Sequence, residues 1–151
     1  MLTQFLAYIG RGENIQLVDG GMQKRVCTYV GDDMDALVAI IANENGVTHG
    51  KIHHIGNPVN NYSIRELAAM MLAMAGQYPE YRENAKRVKL VNTTAAGYYG
   101  AGDREVQNCV LKIENIMQQL AWKLTFSLGD ALHKILDAYK DKISEAANLD
   151  S

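Results

Sequence analysis

"LVDGGMQKRVCTYVGDDMDALVAII", residues 17–41, sets the class of fold. The stretch opens on the end of a β-rich run, Ile15 to Val18, and turns at Asp19-Gly20-Gly21, a typical breaker sequence. A second run with alternating polarity, Val26 to Val30, predicts another strand. Asp32 or Asp33 is then placed to cap a helix in which Met34, Leu37, Val38 and Ile41 recur at helical spacing and form one inward face. Strand, turn, strand and amphipathic helix in immediate succession predict a mixed α/β chain.

Working outward, the same alternation continues in both directions. Upstream, Leu2, Leu6 and Ile9, with Phe5 between them, place an apolar stripe on a helix ended by the Gly10 to Gly12 stretch. Downstream, Lys51 to Ile55 reads as a strand that stops at the turn Gly56-Asn57-Pro58. Ser63-Ile64-Arg65-Glu66 is a capping box, opening a helix through Ala75 with Leu67, Met70, Met71 and Met74 inward. A methionine cluster can line a cofactor or partner groove, but at helical spacing it reads as core filling. Residues 77–86 read as a polar loop and Arg87 to Val91 as a strand. Ile113, Ile116, Met117 and Leu120 define a helix ending near Trp122. Ser127-Leu128-Gly129-Asp130 starts a last helix, with Leu128, Leu132, Ile135, Leu136 and Tyr139 on one face, running to about Glu145. The expectation is a single α/β domain over residues 1–145 and a frayed tail over 146–151.

Composition bounds the function. The chain has 151 residues, 48% hydrophobic and 21% charged, with a formal net charge of -2, which gives no electrostatic reason to expect nucleic acid. The apolar start, Met1 to Gly10, lacks a basic n-region and a small-residue cleavage site and is too short to span a bilayer, so the reading is cytoplasmic, with no membrane partner. Cys27 and Cys109 form no CxxC pair and no His stands at zinc-ligand spacing; no metal site is expected. No strand followed by a G-x-G-x-x-G helix start is present either. Gly97-Tyr98-Tyr99-Gly100-Ala101-Gly102 follows a polar stretch and reads as a flexible loop.

The quoted stretch, followed by "GKIHHIGNPVNNYSIRELAAMM" (50–71) and "LAWKLTFSLGDALHKILDAY" (120–139), resembles the C-terminal, substrate-domain part of the extended short-chain dehydrogenase/reductases. That family comprises NAD-dependent sugar-nucleotide epimerases, dehydratases and decarboxylases, and the likeness is strongest to the dehydrogenase half of its bifunctional UDP-glucuronate decarboxylase/formyltransferase members. It extends from about Gln4 to Ile143. What it implies is the C-terminal part of an extended short-chain dehydrogenase/reductase fold without the Rossmann NAD-binding half. The family's glycine-rich NAD site and Tyr-x-x-x-Lys acid/base pair would fall before Met1, and Tyr78 to Arg82 does not replace that pair. By itself the chain is therefore expected to hold no cofactor and to have no catalytic residues.

The resemblance also assigns the substrate side. In the family pattern R-x-F-x-Y-V-x-D the Arg reaches the diphosphate or ribose of a sugar nucleotide, and Arg25, Tyr29, Val30 and Asp32 match, with Cys27 in the aromatic position. A guanidinium suits the task because its planar fork donates two parallel bonds to phosphate oxygens. Lys24, Arg25, Tyr29, Tyr98, Tyr99 and Arg104 are thus the candidate substrate-binding residues, in vestigial form. Asp103 and Cys109 stand where the resemblance implies Tyr and Arg, and neither supplies a cation. Three readings follow: a truncated or degenerate, non-catalytic relative that self-associates; a UDP-sugar-binding or nucleotide-diphosphate-binding module; or one half of a split NAD-dependent enzyme. Helix faces and strand edges left without their family partners drive association, so a homodimer or higher oligomer is expected.

Overall fold

Gly12 ends the first helix in the left-handed conformation (φ 70°), its N–H returning to the carbonyls of Tyr8 and Ile9, as the glycine run predicts. The structure is a computed structural model, and it describes residues 1–94 and 111–149. It divides into two compact units: Met1–Gln23, Ser63–Gln107 and Leu132–Ser151 form the first, Lys24–Tyr62 and Asn108–Ala131 the second.

In the first unit, α1 (Leu2–Arg11) and β1 (Ile15–Val18) lead into a helical turn at Asp19–Gly21. The capping box opens α3 (Ile64–Ala75): the Glu66 N–H donates to Ser63 Oγ at 3.2 Å, and the Ser63 N–H donates to Glu66 Oε2 at 2.7 Å. Leu67 and Met71 are fully buried, while Met70 and Met74 are half-buried, so the methionines do fill core. Residues 77–86 are not a loop. Pro79 takes the first position of α4 (Pro79–Ala85), where its missing N–H costs nothing, and Tyr81 and Ala85 turn inward one helical turn apart. β4 (Leu90–Thr93) lies two to three residues later than the predicted strand and pairs parallel with β1, Ile15 opposite Leu90 and Val18 opposite Thr93.

The Asp19–Gly21 turn is locked from α3. Arg65 Nε donates to the Gly20 carbonyl at 2.8 Å, and a Cβ on Gly21 would stand 3.0 Å from the Arg65 backbone nitrogen. Gly21 also has φ 68°, so both the space and the backbone angle require glycine. α6 (Leu128–Tyr139) stops at Tyr139 rather than continuing to Glu145, and a separate short helix, α7 (Ile143–Ala146), follows. Ala146 is buried, and Arg11 Nη1 donates to the Ala147 carbonyl.

In the second unit, β2 (Lys24–Val26) pairs with β3 (Asn61–Ser63). The predicted strand Val26–Val30 is displaced, because Val30 is already the first residue of α2 (Val30–Ala42). The segment 51–55, also predicted as a strand, runs without regular structure and joins no sheet among the described residues. α5 (Glu114–Leu120) buries Ile116, and the core joins Ala36, Ile113, Ile116 and Trp122, with Ile40, Ile55 and Leu111 packed against it. Met117, predicted inward, is exposed.

Candidate functional site

The chemistry-bearing residues of the second unit gather around the N-terminus of α2. Neither Asp32 nor Asp33 caps that helix: Tyr29 is the extended residue at its start and no side chain closes the cap. Asp32 is instead 1% exposed, with its carboxylate aimed at the 122–126 segment. It accepts from the Thr125 N–H at 3.1 Å, from Thr125 Oγ1–H and from the Phe126 N–H at 3.2 Å, and its backbone carbonyl accepts from Trp122 Nε1 at 2.9 Å. A buried carboxylate is stable when its lone pairs are met in this way.

This clamp sets the rotation of α2 and overturns the predicted inward face. Asp32, Ala36 and Ile40 lie on the side facing the core, one turn apart, so Met34, Leu37, Val38 and Ile41 are turned out; Val38 is 61% and Ile41 72% exposed. Burial pushes the Asp33 carboxyl above its ordinary range, and the Asp32 charge adds to the effect.

Of the candidate substrate residues, Lys24 is exposed and Arg25 half-buried on β2. Arg25 Nη1 donates to the neighbouring Lys24 carbonyl at 2.9 Å. The Tyr29 ring packs on Phe126, centroids 4.2 Å apart, and lies over Gly31, where a Cβ would stand 2.8 Å from it. Thr28 Oγ1 accepts from the Asn57 N–H at 3.0 Å, the Cys27 N–H donates to the Asn60 carbonyl at 3.0 Å, and burial raises the Cys27 thiol pKa. The Gly56-Asn57-Pro58 turn is thereby fastened to the segment carrying Arg25 and Tyr29. Tyr98, Tyr99 and Arg104, with Asp103 and Cys109, lie outside the described residues.

An open groove of about 340 Å³ elsewhere in this unit is lined by Glu44, Asn45, Gln118, Gln119 and Ala121 among others, and Lys24, Arg25 and Tyr29 are not among its described lining residues. No group of three or more His, Cys, Asp or Glu among the described residues is placed to hold a metal ion. No described helix is long and apolar enough to cross a membrane. Asp32 is the residue whose role sequence reasoning missed. Its place in the family-like Tyr-Val-x-Asp run marked it, but nothing local named Thr125 as its partner.

No protein-family model matches the chain. The chain superposes on the PbgP3 protein from Burkholderia pseudomallei with 52% identity and a TM-score of 0.85, over 98% of this chain and 40% of that one. It also superposes on dTDP-glucose 4,6-dehydratase from Bacillus anthracis, solved in complex with NAD, at 14% identity and a TM-score of 0.69, over 98% of this chain and 41% of that one. The chain has a partial extended short-chain dehydrogenase/reductase fold. A further likeness, to Pal from Bacillus thuringiensis at 21% identity and a TM-score of 0.70, covers 93% of this chain and 39% of the other. This partial dehydrogenase/reductase fold therefore spans about 40% of the length of the solved structures it matches. It matches part of a sugar-nucleotide epimerase/dehydratase fold.

Proposed function

We propose that the chain is a cytoplasmic, non-catalytic relative of the sugar-nucleotide epimerases and dehydratases that works by associating with copies of itself. The observation that carries this reading is the outward stripe on α2: Val30, Met34, Leu37, Val38 and Ile41, all exposed large apolar side chains on one helix. A contiguous apolar stripe of this kind gains by being covered, each fully buried aliphatic side chain contributing about 1.5–3 kcal/mol. Cys27 standing as a free thiol agrees with a reducing compartment.

Sedimentation velocity over a concentration series tests the reading. The expected species is at least twice the 16.7 kDa chain mass, and the double substitution Val38→Asp/Ile41→Asp shifts it to monomer with an unchanged far-UV spectrum. A monomer at every concentration refutes self-association. Thermal-shift titration with UDP, UDP-glucuronate and NAD addresses the other half: no stabilisation is expected, whereas a ligand held at about 100 times its Kd would add about 2.7 kcal/mol. Stabilisation by UDP that disappears in Arg25→Ala would replace this proposal with a nucleotide-binding one.

A further inference from the structure

Asn45-Gly46, in the turn that follows α2, is the one place in the 151 residues where glycine follows asparagine. Both residues are exposed, and a Cβ on Gly46 would meet no described atom within 4 Å, so the space beside the joining peptide is open. Asparagine before glycine carries its own chemistry, because a main-chain nitrogen with no neighbouring Cβ can reach the side-chain amide carbon. The folded turn opposes that attack. Asn45 stands at φ 58°, ψ 17°, which turns the Gly46 nitrogen away from the Asn45 side chain, and the Gly46 N–H donates to the Asn43 carbonyl at 3.0 Å. A clasp closes the turn at its base. Asn43 Oδ1 accepts from the Thr48 N–H at 2.9 Å and from the Thr48 hydroxyl at 2.6 Å, with the Ile40 carbonyl 3.2 Å from that hydroxyl. Thr48 is buried, which shields these bonds from competing water.

We infer that Asn45 is a self-modification site, converted by water to aspartate or isoaspartate at a rate set by opening of the Asn43–Thr48 clasp. The Gly46 nitrogen forms a bond to Asn45 Cγ and gives up its proton to solvent, while Nδ2 takes up a proton and leaves as ammonia. The five-membered imide then adds one water. Cleavage at the side-chain carbonyl gives aspartate, and cleavage at the main-chain carbonyl gives isoaspartate. No step proceeds until the Gly46 N–H is released and the Asn45 ψ angle rotates, so the rate follows the local opening equilibrium. The consequence falls on α2. Its last turn has no basic residue, and the new carboxylate stands beside Glu44 just past the helix C-terminus, where the helix dipole disfavours negative charge. Isoaspartate also adds a main-chain carbon within the span closed by the Gly46–Asn43 bond, so the turn cannot reclose in its present form.

The test compares the whole chain incubated at mildly alkaline pH in buffer and in guanidinium chloride, with conversion read by mass on the tryptic peptide Val26–Lys51 and isoaspartate read by enzymatic methylation. Conversion is expected at Asn45 in both, at least about tenfold more slowly in the folded chain. The hydrogen-exchange protection of the Gly46 amide should match that ratio, since both report the same opening. Thr48→Val removes the hydroxyl bond to Asn43 and is expected to raise the folded rate about three- to tenfold, with the denatured rate and far-UV spectrum unchanged. Thr48→Ser keeps the hydroxyl and should react at the parental rate. Absence of conversion at Asn45 in denaturant overturns the site. Equal rates in buffer and denaturant overturn the gate, as does a protected Gly46 amide whose exchange does not track the reaction. A folded Thr48→Val chain that reacts no faster than its parent overturns the role of the clasp.

Discussion

Replacing Asp32 by Ala removes the acceptor on which the second unit depends. Two backbone N–H groups, those of Thr125 and Phe126, and the Thr125 hydroxyl lose their partner at once, beneath a residue that is 1% exposed. A hydrogen bond to a charged group contributes about 1.5–3 kcal/mol. Thr125 is exposed, so water replaces its lost bonds, whereas the half-buried Phe126 N–H is compensated less well. The expected loss is about 3 kcal/mol, near the lower end for breaking a buried charged contact. With a urea slope of about 1.5 kcal/mol/M, that corresponds to a midpoint lowered by about 2 M. Trp122 is the only tryptophan, and its Nε1 donates to the Asp32 carbonyl, so its fluorescence reports on the site itself. Asp32→Asn keeps one acceptor oxygen but turns an amide donor toward another donor, and should fall between the two. A loss below about 1 kcal/mol in Asp32→Ala would refute the clamp and, with it, the explanation for the orientation of α2.

Two further outcomes follow from the geometry. Gly21→Ala forces a methyl to 3.0 Å from the Arg65 backbone nitrogen at φ 68° and should lower stability by about 1–3 kcal/mol, read as a fall in thermal midpoint, with Gly46→Ala, which has φ 70° but open space, losing less. Asp33 has its carboxyl raised by burial and then by Asp32, so the folded state holds that proton more tightly than the unfolded chain does. The cost is absent below the unfolded value and grows as pH rises through the folded one. Asp33→Asn is therefore expected to gain stability at pH 7, and that gain should vanish in denaturation midpoints measured below pH 3.8, the ordinary value.

Local chemistry was legible wherever partners lie within one turn. The Ser63/Glu66 box, the glycine stop at Gly12 and the reciprocal Ser127–Asp130 bonds at the start of α6 all close within a few residues. Misreadings cluster where the partner is distant. The polar surface of 77–86 hid Tyr81, whose burial beside α1 and α3 pushes its phenol up to about 12 and makes the segment a helix. Pro79 ahead of Tyr81 and Ala85 was the signal available. Lys51–Ile55 has the composition of a strand, but a strand needs a neighbour, and composition does not supply one. Half of the candidate substrate residues, Tyr98, Tyr99 and Arg104, fall outside the described residues, while Lys24, Arg25 and Tyr29 sit on one segment without converging on the open groove.

By itself, then, the sequence determined the alternating α/β order, the capped start of α3, the methionine-filled core and the likeness to an extended short-chain dehydrogenase/reductase, because each follows from local periodicity or from motifs in order along the chain. Only the tertiary structure decided which side of α2 is covered. The helix carries apolar residues around much of its circumference, and periodicity alone favoured Met34, Leu37, Val38 and Ile41. A buried carboxylate outweighs that preference: Asp32 must meet donors supplied by Thr125 and Phe126, more than ninety positions later, and satisfying it turns the apolar stripe outward.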